Sequence, residues 1–502
     1  MSTKRLLLHG SALSAMSIFL QVAVSFFLMP FIIHSLGERL YGVWLLIAAF
    51  VGYYGLLDLG ISAAVTRFVS RSIGAGKREH NKYYASSAFF ILCGAGLLII
   101  IVSLFAALFA KFFINDPADL HLFKFSVIIL GAAIGTSFPL RIFDGVLNAN
   151  LRFDLKRYIE IGEVVLRSCL IIFFLKLNYG IYGLAVAGAA AMLFDFLFKM
   201  LIALKIDRSI VIKISCFNYA KLKEMAEYAV FTFVAGLAQI LNNRIDLYVV
   251  IIFANLTVVS YYGIALSLVS YFYQFFASTQ GILGPFFSQK EGEKNFSAIR
   301  QNLMLLTRLS SIISSVLVLL IILYGKQFVF RWLGESFCST YLFMFILFSP
   351  LIFSYGLFPT LFVLNTTGHH RLSTILDLLR GGMNLILSLI LGHFFGAPGV
   401  AWGTVIPAVL FDIILKPAYS CKVIGLSPFK LWSNVGFVVV VTTILFAPVW
   451  FFIGRNVSNN YLELIAIACL HIVVFLFPAY FLFFNKTKRV WLMKHASAMM
   501  NR

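Results

Sequence analysis

Asp195 and Lys199 stand four positions apart in FDFLFK, and Asp412 and Lys416 stand four apart in FDIILK, each phrase closing a long apolar run. At that spacing an acid and a base share one helix face. They can neutralise each other there, or the carboxylate can take up and release a cation as its surroundings change. Further charges interrupt apolar runs at Asp58, Arg141, Asp144, Glu163, Arg167, Arg244, Asp246, Arg308, Asp377 and Arg380. A charge in hydrocarbon is costly unless it meets a partner or a polar cavity, so ion coupling and anion binding belong at these positions.

Spacing sorts them. Arg141 with Asp144, Glu163 with Arg167, Asp195 with Lys199, Asp377 with Arg380 and Asp412 with Lys416 are three or four apart and are expected to pair along one helix. Local pairing or snorkelling is the plainer reading of these five, and a substrate or coupling role the sharper one. Arg244 and Asp246 are two apart, which turns them about 200° from each other around a helix, so each needs a partner from elsewhere. Arg308 has no carboxylate in its own run. His471 reads as a hydrogen-bonded packing residue rather than a proton relay. The aromatic group Tyr261, Tyr262, Tyr271, Phe272, Tyr273, Phe275 and Phe276 reads as a packing surface, with stacking on sugars as the alternative.

The elements that must hold these residues are membrane spans. The chain has 502 residues, of which 61% are hydrophobic and only 12% charged, and its mean hydropathy is +0.95. That composition is far from a soluble domain and defines an all-α polytopic membrane protein. Apolar runs of roughly 20 residues recur about fourteen times. They lie at 10–33, 41–64, 88–112, 125–148, 159–177, 181–203, 225–253, 258–285, 303–324, 341–364, 375–395, 400–420, 435–453 and 462–484. Most of the 40 Lys and Arg residues fall in the N-terminal residues and in alternate connections, which places both termini in the cytoplasm. This asymmetry also accounts for the net charge of +20 without a nucleic-acid partner. The first run is too long for a cleaved signal and is expected to be retained. If the orientation is right, a phosphatase fused near Ser336 or Asn459 is active and one near Gly76 or after Arg489 is silent. An active C-terminal fusion would require an odd number of spans.

Other chemistry is poorly supported. The six cysteines are scattered without a CxxC pair, which argues against a disulfide framework or a metal site. GAGK at 74–77 lacks the remaining residues of a phosphate-binding loop. No polar stretch is long enough for a catalytic domain, so the protein is not expected to be an enzyme, and any transport must draw on ion gradients or on the substrate's own gradient.

The two opening phrases belong to a longer register. Asn148, Glu160, Asp195 and Lys199 match Asn365, Asp377, Asp412 and Lys416 at a spacing of 217. Tyr41-Gly42 and Gly60-Ile61 match Tyr262-Gly263 and Gly281-Ile282 at 221. The common order implies a six-helix unit written twice: spans one to six in 1–224, spans seven to twelve in 225–433, and two further helices with a basic tail in 434–502. Six is even, so the copies are parallel repeats.

This organisation, the opening GSALSAMSIFLQVAVSFFLMPFIIHSLGERLYGVW, the following LLDLGISAAVTRFVSRSIGAGK and the later NNRIDLYVVIIF resemble the polysaccharide transporters of the multidrug/oligosaccharidyl-lipid/polysaccharide flippase superfamily, and within it the bacterial O-antigen flippases. The resemblance implies a protein of the bacterial inner membrane that flips an undecaprenyl-diphosphate-linked oligosaccharide from the cytoplasmic to the periplasmic leaflet for lipopolysaccharide or a similar surface polysaccharide. It implies a polysaccharide polymerase and chain-length machinery as partners, beside membrane lipids. The lipid II flippase is a relative with as many spans, but the Arg-Asp pair associated with its first span is absent from 10–33. A cation-coupled exporter of drugs or small molecules is the alternative on a related fold. A membrane-embedded glycosyltransferase would be expected to carry acidic residues in the first outer loop or a large outer loop, whereas HSLGER has one Glu and the longest expected outer loop is Lys326 to Thr340.

A diphosphate needs cations, and a guanidinium suits it because it keeps its charge and binds phosphate through two N–H groups. Arg244 ranks first as the diphosphate ligand and Arg308 second, with Asp246, Arg141, Arg167 and Arg380 as further substrate contacts. Asp195, Asp412, Asp58 and Glu163 are the candidates for coupling to H+ or Na+. No cofactor or metal is expected.

Overall fold

The structure, a computed structural model, describes residues 3–112, 116–243, 245–280, 283–454 and 460–483. Among these the chain is helical, and each expected span falls on helix. Eight described helical stretches are long and apolar enough to cross a membrane; the longest, Met16–Gly74 and His370–Ile424, run through helix breaks and each cover all or most of two expected spans.

Two compact units divide the chain, Met1–Gly263 and Ile264–Arg502. The first holds α1 (Thr3–Tyr53), α2 (Ile61–Gly74), α3 (Asn81–Leu108), α4 (Pro117–Ser137), α5 (Arg141–Ala149), α6 (Phe153–Lys176), α7 (Gly180–Ile206), α8 (Tyr219–Asn243), α9 (Asp246–Phe253) and the start of α10 (Leu256–Gln280). The second holds the rest of α10, then α11 (Leu283–Gly292), α12 (Phe296–Leu333), α13 (Thr340–Phe348), α14 (Leu351–Ser354), α15 (Pro359–Thr366) and α16 (His370–Ala408). After a π-helical segment at Val409–Leu415 come α17 (Lys416–Ile424), α18 (Pro428–Phe452) and α19 (Tyr461–Phe483).

Breaks inside the expected spans position the charged residues. α1 is two helices joined at Gly37, whose φ of 76° is open to glycine and strained for other residues. Beyond Tyr53 the chain tightens into a 3₁₀ turn, Tyr54–Asp58. It then passes through left-handed Leu59 and Gly60, at φ 49° and 78°, before α2 begins. Irregular backbone at membrane depth persists only inside protein or beside a polar cavity. Here Tyr54 is buried and hydrogen-bonded to Ser103 of α3. The matching Gly281-Ile282 step lies outside the described residues. α4 likewise gives way to a short 3₁₀ turn containing Pro139, which has no N–H for a helical bond, so Arg141 opens a new helix.

Without a hydrophobic drive between helices in lipid, small residues set the closest contacts. Gly96 of α3 and Gly135 of α4 face each other so closely that a Cβ on Gly135 would lie 2.6 Å from the Gly96 carbonyl oxygen, and a Cβ on Gly96 would meet the Gly135 carbonyl. Gly94, on the same helix, has nothing within 4 Å. Gly96→Ala is therefore expected to destabilise the protein by about 1–3 kcal/mol through overpacking. Gly94→Ala should be neutral or stabilising, by up to about 1 kcal/mol. Thermal unfolding in detergent checks the pair, and equal midpoints would show that α3 and α4 do not meet at this register.

Candidate functional site

The register of 217 becomes spatial: each unit gathers the equivalent residues into an ion cluster. In the first unit Lys199 of α7 is the hub. Its Nζ lies 2.8 Å from Asp195, 3.2 Å from Asp144 of α5 and 3.6 Å from Glu160 of α6. The Lys199 side chain is only 6% exposed, which is why one lysine collects several carboxylates. Lys156 adds a 2.6 Å contact to Asp144, and Arg157 one of 2.6 Å to Glu160. Glu163 and Arg167 pair beside them at 3.4 Å.

In the second unit Lys416 of α17 repeats the hub, 2.6 Å from Asp377 of α16 and 2.8 Å from Asp412 in the π-helical segment. Arg380 of α16 closes on Asp412 at 2.9 Å. Thus Glu160, Asp195 and Lys199 do in one unit what Asp377, Asp412 and Lys416 do in the other.

Three of the five expected same-helix pairs form: Glu163 with Arg167, Asp195 with Lys199 and Asp412 with Lys416. The other two need correction. Asp144 is taken by Lys156 and Lys199 rather than by Arg141, because those ammonium groups come from the facing α6 and α7 and make direct contact. Arg380 reaches across to Asp412, and Asp377 is held by Lys416. A neighbouring helix offers a shorter contact than the next turn of the same helix.

Arg141 is left in a different state. Its guanidinium carbon lies 4.4 Å over the Phe138 ring and 5.9 Å from Phe196. It is in Coulombic reach of Asp58 and Asp144. No ion pair or hydrogen bond to it is found among the described residues, and its Nε is buried without a partner. Asp58, at the break before α2, accepts a hydrogen bond from Ser62 at 2.5 Å. Two helix interruptions thus present a cation and an anion that do not close on each other.

The remaining candidates are placed as follows. Arg308 of α12 donates from Nε and Nη2 to Asn434 Oδ1 of α18 at 2.9 and 2.7 Å. Asp246 is fully buried and accepts from Tyr262 at 3.3 Å. Arg244 lies outside the described residues. His471 is buried, with Nδ1 3.0 Å from the Ile467 carbonyl oxygen and its ring 4.6 Å from Phe446. Most of the aromatic group packs. Phe272 and Phe276 lie 5.2 and 4.9 Å from Tyr355, and Tyr261 donates to Glu38 at 2.6 Å. Tyr273 and Phe275 remain exposed.

Sequence reasoning missed Lys156 as a member of the first cluster and Asn434 as the partner of Arg308. Lys156 stands in a basic connection that gave no sign of facing inward. Asn434 stands just before the thirteenth span, and an uncharged residue there carried no signal. Glu160 was marked only by its match to Asp377.

These features belong to a multi-pass membrane protein, and its fold is shared with solved transporters of the MOP superfamily. The MatE family profile matches residues 13–170. The lipid II flippase MurJ, in an inward closed conformation, superposes with a TM-score of 0.71 at 17% identity, over 94% of this chain and 98% of that one. An inward-facing multidrug resistance transporter of the MATE family gives 0.64 at 18% identity, over 82% and 95%. The uncharacterized membrane protein EpsK of Bacillus subtilis strain 168 is 22% identical over 426 residues, 81% of each chain.

Proposed function

We propose that this protein flips an undecaprenyl-diphosphate-linked oligosaccharide, an O-antigen unit or a similar surface polysaccharide unit, from the cytoplasmic to the periplasmic leaflet of a bacterial inner membrane by alternating access. The observation that carries the reading is the reach of the likeness to the lipid II flippase. It leaves 6% of the chain unmatched. That is less than α18 and α19 together, which hold 25 and 23 residues. The likeness to the multidrug transporter, over 82% of the chain, leaves room to omit them. Export of a small molecule is the second reading, supported by the MatE match to 13–170.

Arg141 is the described arginine suited to the diphosphate. It keeps its charge, its donors are not spent on a protein carboxylate, and the helix breaks around it can face a polar path. Asp195 is the coupling carboxylate, because one of its oxygens is buried without a hydrogen-bond partner while the other is held by Lys199. Asp195→Asn is expected to reach the membrane at normal levels and lose stimulation by a proton or sodium gradient. Unchanged gradient dependence would remove Asp195 from the coupling path.

Purified protein in proteoliposomes tests the substrate. Undecaprenyl-diphosphate-linked oligosaccharide is expected to cross the bilayer faster than in empty vesicles. Crossing of lipid II but not of other glycan lipids would reassign the protein as a lipid II flippase, and efflux of cationic dyes alone would make it a drug exporter.

A further inference from the structure

The two ion clusters are equivalent in residues but not in backbone. Asp195 and Lys199 ride on α7, which is α-helical without interruption. Asp412 lies in the π-helical segment Val409–Leu415, where the Lys416 N–H bonds back five residues to the Phe411 carbonyl. Pro417 follows Lys416, whereas Met200 follows Lys199. Proline has no N–H, so it cannot make the α-helical bond to the carbonyl of Ile413 four residues back. Ile413 is half-buried, and a helix carbonyl left without its backbone donor away from water needs another. Trp432 of α18 supplies one, its indole Nε1–H donating to the Ile413 oxygen at 2.8 Å.

The helix that brings Trp432 is itself tied down. Asn434, two residues on and about 200° around the helix, donates to the Met304 carbonyl at 3.1 Å and to Thr307 at 3.3 Å, while accepting from Arg308. The first turns of α18 are therefore fixed to α12 on one side and to the π-turn on the other. An apolar cleft of about 340 Å³, lined by Phe353, Leu357, Ile413, Ile414, Trp432 and Val435, adjoins that turn. On that side the turn is not closely packed.

We propose that α18 is a brace for the second ion cluster and that Trp432 is its positioning residue, holding the proline-opened π-turn in the register that lets Asp412 meet Arg380 and Lys416 together. A π-turn carries one extra residue, and losing it rotates the helix beyond by about 100°. Asp412 would then keep one partner at the expense of the other. The consequence for transport rests on the flippase reading above. The geometric claim does not.

The test uses the full chain with Cys421 as its one remaining cysteine. Cys421 is buried in α17, four residues beyond Pro417. Trp432→Phe keeps the ring bulk and deletes the donor. It is expected to raise the rate of N-ethylmaleimide modification of Cys421 about tenfold, to lower the unfolding midpoint and to cut glycolipid flipping about tenfold. Adding Pro417→Ala gives the Ile413 carbonyl a backbone donor in an ordinary α-turn. The double variant is expected to recover its unfolding midpoint while Cys421 stays reactive and flipping stays low, because the register is now α.

Unchanged Cys421 reactivity in Trp432→Phe would overturn the brace. So would recovery of both stability and flipping in the double variant, which would make Trp432 a plain stabilising contact. If Trp432→Phe fails to insert, Pro417→Ala alone decides: its new N–H competes for the same carbonyl, and normal Cys421 protection with normal flipping overturns the proposal. A wild-type protein that protects Cys421 but moves no lipid-linked oligosaccharide would refute the function and leave the brace standing.

Discussion

Arg141→Ala is expected to lower flipping of lipid-linked oligosaccharide by about 10- to 100-fold at normal abundance in the membrane. The magnitude is that of one charge-assisted bond to a phosphate, about 1.5–3 kcal/mol. Abundance should hold because Arg141 makes no ion pair among the described residues, and the two acids in its Coulombic reach keep other partners, Asp144 in Lys156 and Lys199 and Asp58 in Ser62. Arg141→Lys should keep part of the activity, since the charge stays but the two-pronged donor is lost. Arg380→Ala is the contrasting variant. Arg380 is held by Asp412 at 2.9 Å, so its loss should reduce the amount of folded protein as well as transport. Flux and abundance measured together separate the two cases. Normal flux in Arg141→Ala would end its assignment to the diphosphate, and lost abundance with normal flux per molecule would make it a packing residue on Phe138.

Lys199→Met is expected to have the largest effect on stability. Lys199 is nearly buried and touches Asp144, Glu160 and Asp195. Lys156 and Arg157 still serve Asp144 and Glu160 when it goes, but Asp195 loses the cation that holds it. An uncompensated buried carboxylate costs about 3–5 kcal/mol. At roughly 2–4 °C per kcal/mol for a unit about the size of Met1–Gly263, the unfolding midpoint in detergent should fall on the order of 10 °C. Asp195→Asn should be milder, because Lys199 keeps two acids. Combining it with Lys199→Met should restore part of the loss, since the stranded charge is gone. A midpoint unchanged in Lys199→Met would mean that the ammonium reaches water by snorkelling and that the cluster is not buried.

Membrane class, the positions of the spans and the pairing of Glu160, Asp195 and Lys199 with Asp377, Asp412 and Lys416 were all legible in the amino-acid sequence. Hydropathy is a property of short windows, and a register needs only the order of residues. Three same-helix pairs were legible for the same reason, because a spacing of three or four fixes a shared face whatever surrounds it. Tertiary structure alone decided the partners that come from other helices. Lys156 meets Asp144 across 12 positions, Arg380 meets Asp412 across 32 and Arg308 meets Asn434 across 126, all from helices whose facing sides no local pattern encodes. It also decided what happens to interrupted backbone. Pro139 and Pro417 lack N–H groups, but only the packed helices show that one break opens a helix at Arg141 and that Trp432, on a distant helix, satisfies the carbonyl at the other. A side chain's charge and a missing donor are written locally, whereas the group that answers them is set by which helices the fold brings together.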